Sequence, residues 1–185
     1  AGYINKNIVA RLQANGADAM GVSGADGNII KAYKRTNANL DYGFVGDVDS
    51  VNAKRLYFLL QQGITPVVCP ITHDGNGQLL NTNADTIAQE IAKSLIKDYS
   101  VQLIYSFEKA GVLLNADDES TVVKSINPVY YWQLKSEGKI FAGMIPKLDN
   151  AFAALQSGVQ KVIIGRAESL LHLIDNRLGT TIVNE

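Results

Sequence analysis

The chain has 185 residues, of which 46% are hydrophobic and 19% charged, and its net charge at pH 7 is −1. That much apolar material can bury a full core, which excludes a disordered chain and fits one globular domain, or one domain and part of another. The near-balanced charge, with Lys and Arg scattered along the chain, excludes a broad nucleic-acid or membrane surface but leaves room for a small, local anion site.

The opening "AGYINKNIVARL" reads as the inside of an amphipathic helix with Ile4, Ile8, Val9 and Leu12 on one side, and the chain is expected to start partway through a natural protein. "ADAMGVSGADGNIIKAYKR" reads as two strands joined by a Gly-Ala-Asp-Gly-Asn turn, a hairpin. "YGFVGDV" is a short strand leading to a helix from about Ser50, its N-cap, to Gly63, its stop. "ITPVVCPI" is a buried-type strand, and its lone Cys69 offers neither a disulfide framework nor a thiolate metal site, so the cytoplasm is the expected compartment. A helix follows "NTNAD", with Ile87, Ile91 and Leu95 at four-residue spacing. "VQLIYSF" is a strand, "NPVYYWQLKSEG" a helix, and "IPKLDNAFAALQSG" a helix with Pro146 at its start and Gly158 at its end. "VQKVIIG", "AESLLHLIDN" and "GTTIV" close the chain as strand, helix and strand. Apolar strands alternating with helices predict an α/β fold with a largely parallel sheet covered on both faces, in which ligands sit beyond the carboxyl ends of the strands.

Two places carry candidate chemistry. Asn81, Asn83 and Asp85 cluster just before and inside a helix start; Asn83 is a good N-cap and Asp85 suits the helix dipole, but Asn81 has no such structural reason. With Asn83 it offers amide groups where backbone N–H groups also point outward, an arrangement that suits an anionic ligand. The second place is "GMIPK". Lys147 in the first turn of its helix is opposed by the helix dipole unless an anion, typically phosphate, comes to meet it; a solvated surface lysine is the alternative. His73 and His172 have no second ligand at metal spacing, so no protein metal site is expected.

"GADGN", "VGDV", "GITPVVCPI", the Asn-x-Asn-Ala-Asp segment, "GMIPK" and "GTTI" stand in one order along the chain, and in that order they resemble the acetylglutamate kinases of the amino-acid kinase family. The resemblance implies a three-layer α/β/α sandwich over residues 1–185, incomplete at its amino terminus, with a nucleotide-binding half over about 64–185. It implies transfer of the γ-phosphoryl of ATP to the side-chain carboxylate of N-acetyl-L-glutamate or a close N-acyl analogue, in arginine biosynthesis. By the same resemblance Asp85 and Lys147 are catalytic, and Asn81 and Asn83 hold the amino-acid substrate. Ser106, Phe107, Glu108, Gly111, Val112, Lys139, Ile140, Phe141, Gly143 and Met144 would border the nucleotide. Mg²⁺ would be held mainly by the phosphates, and the protein would be a cytoplasmic homodimer without nucleic-acid or membrane partners. The family's nucleotide loop reads Ser-Asp-Val-x-Gly, whereas this chain has "SFEKAGVL", one residue longer and with Phe107 in place of the Asp. The family's Lys-x-Gly-Gly phosphate loop has no counterpart in these residues. A non-catalytic amino-acid or nucleotide sensor of the same fold is the alternative that these two departures keep open.

Overall fold

The computed structural model describes residues 1–140 and 142–184, with the side chain of Ala142 also left aside. The chain divides into two compact units, Ala1–Asp98 and Tyr99–Glu185.

The first unit opens with helix α1 (Tyr3–Ala14), followed by strands β1 (Ala19–Val22), β2 (Ile30–Lys34) and β3 (Gly46–Val51), helix α2 (Ala53–Gln61), strands β4 (Thr65–Val68), β5 (Ile71–His73) and β6 (Leu79–Asn81), and helix α3 (Ala84–Leu95). β1 and β4 form a parallel pair, and β3-β2-β5-β6 form a second sheet in which β2 runs antiparallel to β3 and parallel to β5, and β5 antiparallel to β6. Val22, Ile29, Ile30, Leu56 and Ile87 make the core, with Ile91 and Leu95 of α3 and Val48 and Val51 of β3 packed against it. Ile87, Ile91 and Leu95 thus lie on one side of α3, as their spacing requires.

Four local expectations are corrected in this unit. β1 and β2 are not a hairpin, because they lie in different sheets. The Asp26 carboxylate accepts the backbone N–H of Ser23 at 2.6 Å and its hydroxyl at 2.7 Å, which also holds the Asp26 pKa below the ordinary carboxylate value. Gly27 and Asn28 then take positive φ, and this compact loop lifts the chain out of one sheet and into the next. The Gly/Asp/Asn signal marks a reversal without specifying which strands pair. The α2 cap is Asn52, whose Oδ1 accepts from the Arg55 N–H at 3.3 Å; Ser50 remains in β3, opposite Lys31, because the antiparallel ladder extends to Val51. On α1 the apolar side is only partly covered: Ile4 is 74% exposed and Ile8 is exposed, Val9 and Leu12 are half-buried, while Asn5 is buried and donates from Nδ2 to the Val67 carbonyl at 2.8 Å. "ITPVVCPI" divides at Cys69-Pro70 into β4 and β5, since proline cannot donate to a ladder.

The second unit carries β7 (Gln102–Phe107), β8 (Ser125–Ile126), helices α4 (Pro128–Ser136) and α5 (Ile145–Gln156), β9 (Lys161–Arg166), α6 (Leu170–Ile174) and β10 (Thr180–Ile182). Its sheet has the order β7-β9-β10-β8, with β7 parallel to β9, β10 antiparallel to β9, and β8 parallel to β10. Val162, Ile163 and Ile164 of β9 are fully buried, which is why that strand reads as a continuous apolar run. Leu148, Ala151, Phe152 and Leu155 form the buried stripe of α5 at helical spacing.

Candidate active site

In the first unit, the segment from β6 to α3 is fixed from both sides. Asn81 donates its backbone N–H to the Phe44 carbonyl at 2.8 Å. The buried hydroxyls of Thr72 and Thr82 share a hydrogen bond at 2.8 Å, and the Thr82 N–H donates to the Pro70 carbonyl. The carboxyl end of β6 is therefore held firmly, and only two residues separate it from α3. Asn83 caps it: Oδ1 accepts the N–H groups of Asp85 at 2.8 Å and Thr86 at 3.1 Å. The cap occupies that oxygen, so the amide nitrogen of Asn83 is what it can offer a ligand. Asn81 is exposed at the strand end, and Asp85 is half-buried in the first turn.

In the second unit, a cavity of about 390 Å³ is lined by Phe107, Glu108, Lys109, Gly111, Val112, Leu113, Ala116, Gly143, Met144 and Lys147. Its volume is that of a small-molecule site, and its wall is mainly apolar with Lys147, Lys109 and Glu108 as charged groups. It lies where β7 ends and α5 begins, the position expected of a ligand in an α/β sheet. Lys147 lies in the first turn of α5, with Nζ 5.6 Å from the ring centre of Tyr105 and 6.0 Å from that of Phe107.

The loop forming the other wall is clasped at its base. Val112 donates its N–H to Thr180 Oγ1 at 2.8 Å, that hydroxyl donates to the Val123 carbonyl at 2.6 Å, and Val123 donates its N–H to the Val112 carbonyl at 2.8 Å. Gly111 is needed here for close approach, because a Cβ would stand 2.7 Å from Thr180 Oγ1. Within the loop, Lys109 Nζ donates to the Ala116 carbonyl at 3.1 Å, and Arg166 pairs with Glu119. Helix α5 is braced against α4: the Tyr131 hydroxyl donates to Asp149 at 2.6 Å, Lys135 reaches both, and the Tyr131 and Phe152 rings stack at 5.3 Å. Burial first, and then the Asp149 carboxylate, push the Tyr131 pKa well above its ordinary value.

Of the nucleotide-side residues expected from sequence, Phe107, Glu108, Gly111, Val112, Gly143 and Met144 meet around this cavity together with Lys147. Ser106 is exposed on β7, Ile140 is buried in the core, and Lys139 pairs with Glu137 at 2.8 Å, which raises the lysine's pKa; none of the three lines the cavity. Phe141 lies outside the described residues. Asn81, Asn83 and Asp85 belong to the first unit and Lys147 to the second. Sequence reading missed Leu113, Ala116, Tyr105 and Thr180. The apolar "GVLL" run carried a hint of the first, but nothing local marks Thr180, which lies 68 residues from Val112.

An α/β chain with a capped, anion-receptive helix start in one unit and a lysine at the wall of a small-molecule cavity in the other has the parts of a phosphate-handling protein. The family model of the amino acid kinase family matches residues 1–166. The acetylglutamate kinase of Cytophaga hutchinsonii is 55% identical over 185 residues, covering 98% of this chain and 70% of that protein. That of Phocaeicola vulgatus is 51% identical over 169 residues, covering 91% of this chain and 66% of its own. Among solved structures, smu.665 from Streptococcus mutans superposes with a TM-score of 0.79 at 26% identity, over 97% of this chain and 66% of that one. The chain belongs to the amino acid kinase family, with an α/β sandwich fold of mostly parallel sheets and flanking helices, and by its relatives it stands among the acetylglutamate kinases. It spans about two thirds of the length of these relatives.

Proposed function

We infer that this chain is the greater part of an ATP-dependent kinase that phosphorylates the γ-carboxylate of N-acetyl-L-glutamate, or a close N-acyl-glutamate, to the acyl phosphate in arginine biosynthesis. The observation that carries the reading is Lys147, placed at the wall of the cavity by the first turn of α5, in a chain 55% identical to an acetylglutamate kinase. A carboxylate with a pKa of about 4.3 is already ionised at neutral pH, so the nucleophile needs no general base. Its oxygen attacks the γ-phosphorus, the bond from that phosphorus to the bridging oxygen breaks, and ADP leaves with the electron pair. The protein's task is to position the two substrates and to stabilise charge on the transferring oxygens.

In this reading Lys147 stabilises that charge, Asp85 orients the lysines, and Asn81, with the amide nitrogen of Asn83, grips the N-acyl-glutamate. Phe107, Glu108, Gly111, Val112, Gly143 and Met144 border ATP in the nucleotide-binding half, expected over about 64–185. Mg²⁺ would be carried mainly by the phosphates, where it neutralises their charge. We place the protein in the cytoplasm as a homodimer acting on small molecules, without nucleic-acid or membrane partners. The net charge of −1 speaks against a broad nucleic-acid surface, and the exposed Ile4 and Ile8 on α1 offer an apolar face to a second copy.

The test is steady-state kinetics of the full-length protein. Lys147→Ala and Asp85→Asn should each lower kcat by roughly two orders of magnitude or more, while Asn81→Ala should raise mainly the KM for N-acetyl-L-glutamate. A normal kcat for Asp85→Asn would return that residue to the role of a helix start.

A further inference from the structure

Tyr105 and Phe107 stand two apart on β7, so they present their rings on the same face of the strand. Tyr105 is buried at 4% exposure, and Phe107 lies half-buried in the cavity wall. The Lys147 ammonium lies within cation–π range of both ring centres, at 5.6 and 6.0 Å. This is the ammonium that the dipole of its own helix disfavours. A ring quadrupole attracts the ammonium without neutralising it.

We propose that Tyr105 and Phe107 are positioning residues, holding the Lys147 ammonium at the cavity wall through their aromatic faces so that it is aimed at the transferring phosphoryl group. The proposal rests on the reading of Lys147 given above. It separates two roles for Phe107. A residue that only borders the nucleotide acts on the KM for ATP, whereas one that aims Lys147 acts on kcat, and only while Lys147 is present. The same holds for Tyr105, but its burial makes a truncation there a threat to folding, so the half-buried Phe107 carries the test.

The experiment is a double-mutant cycle in the full-length protein with Mg-ATP and N-acetyl-L-glutamate. Phe107→Leu should lower kcat by roughly tenfold and change the KM for ATP by no more than about twofold. Phe107→Tyr, which keeps a ring, should recover most of that loss. In the Lys147→Ala background, Phe107→Leu should lower kcat no further. A loss of kcat that persists undiminished without Lys147, or an effect confined to the KM for ATP, would overturn the proposal. A normal kcat for Lys147→Ala alone would instead overturn the catalytic reading of that lysine, and the proposal with it.

Discussion

Replacing Thr180 by valine keeps the shape of a fully buried side chain and removes only its hydroxyl. That hydroxyl accepts from Val112 N–H at 2.8 Å and donates to the Val123 carbonyl at 2.6 Å, and both flanking residues are themselves buried. The variant leaves one donor inside the protein without its acceptor, at about 1–3 kcal/mol, and deprives the carbonyl of a partner worth about 1 kcal/mol. The expected loss is therefore roughly 2–4 kcal/mol, a large part of the ~5–15 kcal/mol that holds a typical domain folded. Thr180→Ser keeps both bonds and gives up one buried methyl, about 1 kcal/mol. Urea unfolding of the full-length protein gives the comparison through the midpoint at constant slope. The two bonds close the base of the loop that walls the cavity, so Thr180→Val should also raise the KM for ATP. If the valine variant is at least as stable as the serine one, the clasp contributes nothing and the reasoning fails.

Two further outcomes follow from individual contacts. Asn83→Ala removes the cap of α3 and should cost about 1 kcal/mol, while Asn83→Asp, which still accepts from the first-turn N–H groups, should recover most of it; equal melting temperatures for the three proteins would refute the cap. Tyr131 has a folded-state pKa raised above its ordinary 10.0 by burial and by Asp149, so its contribution to stability is complete below pH 10 and is lost as pH rises above it, where the unfolded chain releases the proton first. Stability measured between pH 9 and 11 should fall more steeply in the wild type than in Tyr131→Phe, and parallel curves would show that the hydroxyl is not held as described.

What could be read from the sequence is what depends on residues close together in it. The four-residue spacing of Ile87, Ile91 and Leu95 found its place against the core, and Asn83 capped the helix it precedes, because side-chain period and capping are properties of a single turn. The hairpin expected across Gly24–Asn28 failed for the converse reason. Asp26, Gly27 and Asn28 do reverse the chain, but pairing is settled by partners far along it: β4 for β1, and β3 and β5 for β2. α1 shows the same limit. Its apolar spacing is real, yet Asn5 is the buried residue because its amide meets the Val67 carbonyl 62 residues away.

The candidate site divides along the same line. Lys147 was singled out because a cation in the first turn of a helix is locally unfavourable, and a local cost without a local reason points to a partner elsewhere. The structure supplies aromatic faces from β7, some 40 residues earlier in the chain. Phe107 was noticed as the residue standing where the family has an aspartate, which says what is missing and not what replaces it. Position 107 lies on the same face as position 105, so an aromatic residue there extends one surface that Tyr105 has begun. A carboxylate at 107 would add a charge beside Lys147; the phenyl ring adds a surface. Substitution at that position therefore alters how the lysine is held without removing the lysine from the cavity wall, and the cycle joining Phe107 to Lys147 measures that difference directly.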